Sequence, residues 1–411
     1  MKYRLANVIL RGVTLFSKFL MMFSIAIYIA PEEVGLYGLF FSAVMYMIYV
    51  VGFEFYTYSN REIASQDKKH WGVYIRDQMV FVTFLSVVVL PISVIIFYTN
   101  ILPWDLFLFF YFILFVEYIS QEINRFLISM SRQLKASIVL FFRSGLWPII
   151  VVCVMYIYPE SRNIYTIMYL WAMGGVGAIF IGIFYMRDSL QMPFSRPISY
   201  SWIISGVKVA IPLLVASLAS KSFFTLDKFL IEFYSNLEVL APYIFFASIA
   251  SSISAFIDAA VIVFFYPKMV KAGSEGNIRK LVQMTKNLAV QILLIGGAGA
   301  LVIIPFSLYI LDYFNYGVYR TYLYFLFYML CSVVVFCLSM SPHLALYALK
   351  EDKCIVLSNV FCFFFFILSS MIMGRYFSFN GVLISLLITC FILLFVKTYF
   401  LRCKLLRFRD I

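Results

Sequence analysis

Twelve long apolar runs govern what this chain can fold into. They cover 8–30, 34–56, 79–98, 105–127, 138–158, 164–186, 204–226, 239–265, 288–311, 321–346, 354–373 and 381–400. A bilayer core about 30 Å thick takes roughly 20 residues of helix, and each run meets that length. In hydrocarbon, backbone polar groups must be satisfied within a helix or around a closed barrel. Runs this long and continuous exclude barrel strands, so the chain reads as all-α, a polytopic membrane protein with twelve transmembrane helices. Composition supports this: 64% of the 411 residues are hydrophobic and only 13% are charged, against roughly a quarter charged in soluble domains. A cytosolic enzyme, a disordered chain and a secreted disulfide scaffold are thereby excluded.

The seven cysteines show no CxxC and no Cys/His ligand spacing, so neither disulfides nor a metal or other cofactor is expected. The first run is too long for a cleaved signal, and Tyr28 stands where a small residue would be needed before Ala30. That span is expected to be retained.

The net charge of +12 invites a nucleic-acid reading, but no basic soluble segment exists to support one. Numbering the connections alternately places 22 Lys and Arg on the N-terminal side and 4 on the other, with 6 inside spans. Such asymmetry marks the cytoplasmic face. The expectation is a multi-pass protein of a bacterial cytoplasmic (inner) membrane, with both termini cytoplasmic, short connections and no extramembrane domain.

The chain also repeats itself. At an offset of 206, Glu32, Tyr37, Phe40 and Ser42 fall on Glu238, Tyr243, Phe246 and Ser248. Each set opens the second span of a six-span half. An even number of spans per half makes the repeats parallel, so two six-helix lobes, 1–200 and 201–411, are expected around a central cavity, with the substrate path between them. Gly174, Ala178 and Gly182, and the cluster Gly296, Gly297 and Gly299, read as close helix contacts. Pro91, Pro148, Pro212, Pro305 and Pro342 interrupt spans as sites for kinks.

Ionisable groups inside spans mark a bundle interior or a wet path. Lys18 sits near the middle of span 1, too deep to snorkel. Arg11 lies one heptad earlier on nearly the same face, where snorkelling is an equal alternative. Glu117, Gln121, Asn124 and Arg125 form a polar stripe in span 4. Arg143 in span 5 lies at the depth of Glu117, either as a structural ion pair or as part of the path. Lys208 and Asp258 are the matching pair expected in the second half. Lys221, Asp227, Lys228, Lys397 and Glu54 read as interfacial, and His343 as a packed polar residue. The interior cations Arg11, Lys18, Arg143 and Lys208 outnumber the acids Glu117 and Asp258. An anionic substrate is expected at the cations, and H⁺ or Na⁺ coupling at the two acids.

Several stretches resemble the multidrug/oligosaccharidyl-lipid/polysaccharide exporter superfamily, specifically Wzx-type flippases. They are APEEVGLYGLFFS (Ala30–Ser42), GFEFYTYSNREIA (Gly52–Ala64), SGVKVAIPLLVASLASKSFFTLDKFLIEFYSNLEVLAPY (Ser205–Tyr243) and FFYPKM (Phe264–Met269). The resemblance implies a flippase for an undecaprenyl-pyrophosphate-linked oligosaccharide of O-antigen or capsule assembly, in contact with membrane lipids and with assembly enzymes. Arg11, Lys18, Arg143 and Lys208 would then meet the pyrophosphate or acidic sugars.

The nearest rival is a drug or metabolite antiporter of the same superfamily, which favours an acidic path. A lipid II flippase usually carries two further spans. A membrane glycosyltransferase or polymerase would need a sizeable exterior loop or soluble domain, and no nucleophile or nucleotide-sugar acid pair is present. No selectivity-filter-like segment suggests a channel. The chain therefore reads as a transporter and not an enzyme.

Overall fold

The computed structural model describes residues 2–65, 68–190, 197–313 and 317–407. Arg196 and Arg409, both counted toward the basic face, lie outside the described residues. Among those residues the chain is helical and has no strand. Twelve helices are long and apolar enough to cross a membrane: α1 Ile9–Tyr28, α2 Pro31–Gly52, α3 His70–Tyr98, α4 Trp104–Ser129, α5 Gln133–Ile157, α6 Ile164–Ser189, α7 Tyr200–Tyr234, α8 Leu237–Ser274, α9 Ile278–Asp312, α10 Tyr324–Ala348, α11 Asp352–Phe377 and α12 Phe379–Leu406.

Local chemistry sets where several of these helices begin. Pro31 opens α2, with Glu32 and Glu33 in the first turn, where proline loses no hydrogen bond and acids meet the positive end of the helix. Glu33 Oε2 also accepts the Ile164 N–H at 2.7 Å, which ties the start of α2 to the start of α6. Asn163 caps α6 by accepting the Thr166 N–H at 3.0 Å, and Asn236 caps α8 by accepting from Val239 at 2.9 Å.

Interruptions fall at informative places. Phe53 and Glu54 close α2 with φ of 55° and 54°, and a short helix, Tyr56–Ser65, follows. Within α5 a π-helical turn spans Phe142–Leu146, and within α8 another spans Asp258–Ile262. Each of these turns carries one of the charged residues singled out from sequence. The α3 helix breaks just after Pro91, before a final turn at Ile95–Tyr98. Pro305 and Pro342 stay inside continuous helices, and Pro212 lies inside α7 away from its irregular residue. The irregular residue in α7 is Phe224, at φ −99° and ψ 21°.

The chain divides into two compact units, Met1–Leu218 and Ala219–Ile411, with the division inside α7. In the first unit α4 packs on α2, α5 and α6, α5 on α6, and α1 on α5. In the second, α10 packs on α8, α9 and α12, and α11 on α12. The contacts α2–α4, α4–α6 and α5–α6 thus recur six helices later, as parallel duplication requires. The repeated aromatics lie in the core of both units, and in each unit one of them packs on the central helix, α4 or α10. Tyr37, Phe40, Tyr243 and Phe246 are all buried. Phe40 meets Phe110 of α4 at 5.8 Å, and Tyr243 meets Phe325 of α10 at 5.9 Å.

Candidate functional site

In the first unit the charges converge where α1, α4, α5 and α6 meet. The π-helical turn in α5 presents Arg143 toward α4. Its Nε donates to Glu117 Oε2 at 2.6 Å and its Nη2 to Gln121 Oε1 at 2.7 Å. The other carboxylate oxygen of Glu117 accepts from Trp171 Nε1 of α6 at 2.6 Å. Trp171 stacks on Trp147 with ring centroids 5.6 Å apart, and Trp147 Nε1 donates to the Arg143 carbonyl at 2.8 Å. That carbonyl lies inside the π turn, where the regular ladder is disrupted. Glu117 is 2% exposed, so its charge depends on these donors and on the guanidinium.

Lys18 of α1 stands within electrostatic reach of both Arg143 and Glu117. Unlike them, it is exposed. On the same helix, Thr14, about one turn earlier, and Ser17, the preceding residue, are buried, with hydroxyls returned to their own helix. Arg11 is exposed, and its Nε donates to Ser137 of α5 at 3.4 Å. The Ser137 hydroxyl donates in turn to Asn7. Lys208 is an exposed residue of α7 within the same unit. The structure therefore brings Lys18, Arg143 and Glu117 into one cluster, with Arg11 on the same seam of α1 and α5. Lys18 and Arg11 are exposed residues, whereas Arg143 is buried.

Three residues expected at the interface are buried instead: Glu54 is 4%, Asp227 0% and Lys397 2% exposed. Asp227 is held by the Tyr243 hydroxyl, by the Lys228 N–H at 2.8 Å and by the Lys228 ammonium at 3.2 Å. The kink at Phe224 makes this arrangement fit, because the Phe224 carbonyl accepts the same ammonium at 2.6 Å. Lys397 lies among α10, α11 and α12, within electrostatic reach of His343 and Cys362. His343 is half-buried, and its Nδ1 has no hydrogen-bond partner. The basic group in electrostatic reach of exposed Asp258 is Lys221, of the same unit.

A second polar network, of which Glu54 and Arg125 stood out in sequence, lies where α2, the short helix, α3 and α4 meet. Gln78 Nε2 donates to Glu122 Oε2 at 2.5 Å, and Ser59 donates to Gln78 Oε1. Arg125 pairs with Glu122 at 2.5 Å and lies 3.5 Å over the Tyr56 ring. Burial holds the Tyr56 phenol above its ordinary pKa, so it remains a donor, and its partner is the Glu54 carboxylate. Beside it, Asp77 of α3 pairs with Arg76 at 2.7 Å and accepts the Ser199 N–H at 3.1 Å.

Twelve apolar helices in a duplicated packing scheme, with charge clusters inside the spans, define a multi-pass membrane protein with a transporter fold. Solved structures bear this out. The chain is similar to an inward-facing multidrug resistance MATE family transporter of the MOP superfamily, with TM-score 0.77 and 15% identity over 97% of this chain and 96% of that one. It is also similar to an outward-facing transporter of that family, with TM-score 0.66 and 15% identity over 98% and 95%. A MATE protein in its bent conformation gives TM-score 0.64 and 15% identity over 100% and 97%. Identity this low establishes the fold alone. The family model described as polysaccharide biosynthesis protein matches residues 5–272, and the chain belongs to that family. Comparison with curated proteins returns no match.

Proposed function

We propose that this protein is a flippase that moves undecaprenyl-pyrophosphate-linked oligosaccharide units from the cytoplasmic to the periplasmic leaflet of a bacterial inner membrane, by alternating access. The observation that carries this reading is a lysine, Lys18, at mid-span beside a buried ion pair. Its nearest charged neighbours, Arg143 and Glu117, already neutralise one another. A membrane helix retains such a cation when an anion visits it. Arg11 and Lys208 are further exposed cations of the same unit. Guanidinium and ammonium groups suit a pyrophosphate, while the polyprenyl tail stays in hydrocarbon.

Arg143 lies in electrostatic reach of Lys18 and pairs with Glu117. Of the two acids expected to couple ions, Glu117 is committed to two donors. Asp258, exposed beside Lys221, keeps the freer carboxylate for H⁺ or Na⁺. Polysaccharide assembly enzymes would supply and consume the substrate, and the protein itself makes and breaks no covalent bond. Similarity to multidrug transporters favours drug antiport as the second reading, which the cations at the α1–α5 seam oppose.

Deleting the gene tests both readings. Lipid-linked single repeat units accumulating on the cytoplasmic leaflet support flipping. Normal polymer with new drug hypersensitivity supports antiport and overturns the flippase. Within the flippase reading, Lys18→Ala is expected to lower polymer display severalfold at unchanged membrane abundance, measured by immunoblot alongside surface glycan. Undiminished display removes Lys18 from the path.

A further inference from the structure

In the second unit Lys397 is a buried cation without a counter-charge. It stands in α12 well before the helix ends at Leu406, about 14 Å along the axis at a rise of 1.5 Å per residue. That is too far for the stem to carry the ammonium past the helix end, and the residue is only 2% exposed. The ion pairs of this unit are made by other cations, Lys228, Lys271, Arg320 and Lys404. Among the described residues no carboxylate pairs with Lys397, and no group accepts a hydrogen bond from it. An ammonium has three N–H donors and no acceptor, so burial without any partner is strongly unfavourable.

The groups that face it come from the two helices packed on α12. His343 of α10 and Cys362 of α11 both lie in its electrostatic reach. Cys362 is fully buried, with a thiol that is at most a weak donor. The His343 Nδ1 is buried and has no hydrogen-bond partner. Buried polar atoms are rarely left so. Lys397 and His343 could have satisfied each other directly, by donation from the ammonium to the imidazole. The structure shows no such bond, although each nitrogen lacks another partner. Two unsatisfied nitrogens that stay apart within electrostatic reach call for a third body between them. Water would bridge them but leave the charge uncompensated, whereas an anion would do both. With its proton on Nδ1, His343 presents a donor, so ammonium, imidazole and thiol would all donate to one point.

We propose that Lys397, His343 and Cys362 bind one small monovalent anion, of the class of chloride, between α10, α11 and α12. The burial of Lys397 leaves no room for a lipid headgroup or a sugar phosphate. The site is separate from the Lys18, Arg143 and Glu117 cluster of the first unit, and the binding does not rest on the flippase reading. Its effect is to hold together three helices, two of which would otherwise enclose an unpaired charge.

The test uses the purified full-length chain in detergent at fixed pH and ionic strength, with potassium chloride exchanged for potassium gluconate. Wild type is expected to melt at a temperature that rises saturably with chloride, and to broaden the chloride NMR line. His343→Leu is expected to weaken the chloride response about tenfold, the equivalent of 1.4 kcal/mol. Lys397→Met is expected to lose the response altogether. It should melt in gluconate no lower than wild type does there, because an apolar side chain of similar length replaces an unpaired buried charge. A wild type indifferent to chloride by either measure overturns the proposal and means that Lys397 is held as the neutral amine. A Lys397→Met chain that keeps the wild-type response also overturns it, since the effect is then one of salt in general. Should Lys397→Met fail to fold, His343→Leu decides: an unchanged chloride midpoint overturns the site. None of these results bears on where lipid-linked glycan accumulates after gene deletion, so the flippase reading stands or falls separately.

Discussion

Glu117 illustrates how much one buried residue decides in a membrane helix. Its two oxygens accept from Arg143 and Trp171, so replacing it strands a guanidinium and an indole N–H together. Breaking a buried pair from one side costs about 3–5 kcal/mol, whereas removing both partners costs much less. Glu117→Gln is therefore expected to lower the melting temperature in detergent sharply, and Glu117→Gln with Arg143→Met to recover much of the loss. Additive losses in that double-mutant cycle would mean that the pair contributes no coupling. Lys18→Ala, which leaves these bonds in place, is expected to melt close to wild type. The pair was legible from sequence because both residues sit at one depth in neighbouring spans. Trp171 was not, because an indole in an apolar helix carries no charge to draw notice and lies 54 residues away. Glu54, Asp227 and Lys397 misled for a related reason. Nearness to a span end suggests snorkelling, and only the tertiary partners, such as Tyr243 on Asp227, reveal that the chain folds over them.

At the scale of elements, α6 is shaped by what its glycines leave out. A Cβ at Gly175 would stand 2.2 Å from Val116 Cγ1 of α4, and one at Gly182 would stand 2.3 Å from Ile123 Cγ2. The α4–α6 contact that positions Trp171 over Glu117 thus depends on hydrogen atoms at both positions. Gly175→Val is expected to cut membrane abundance severalfold by fluorescence-detected gel filtration. Gly177→Ala, whose added carbon meets only Phe142 at 3.7 Å, is expected to behave as wild type. Equal abundance of the two variants would show that the close approach is dispensable. The four-residue spacing of Gly174, Ala178 and Gly182 disclosed this face in the sequence, but Gly175, the tightest position, is off that spacing. The π-helical turns at Phe142–Leu146 and Asp258–Ile262 left no trace in hydropathy, because one extra residue in a turn barely alters an apolar run. The end of α2 escaped for the opposite reason: Phe53 to Tyr56 continue the apolar character while the backbone has already turned over.

For the whole molecule, the legible quantity was the number of spans, since lipid length sets helix length directly. All twelve runs correspond to helices long enough to cross. Duplication was legible in four residues and is stronger in the packing, where α4 and α10 play the same role in their units. Orientation follows from charge and is testable at two exposed positions. Glu160 lies in the turn Pro159–Ser161 between α5 and α6, and Glu275 closes α8 at its basic end. An odd number of spans, three, separates the two turns, so they must emerge on opposite faces. The excess of Lys and Arg leads to the expectation that Glu275 faces the cytoplasm. With Glu160→Cys, a membrane-impermeant maleimide is expected to label intact spheroplasts. With Glu275→Cys it should label only after permeabilisation, each variant being made in a chain whose seven native cysteines are replaced by serine. Reversed labelling would invert the protein relative to the orientation its Lys and Arg lead one to expect. Labelling of both turns in intact spheroplasts would break the alternation itself, and with it the parallel repeat, because the two halves share one orientation only if each crosses the bilayer an even number of times.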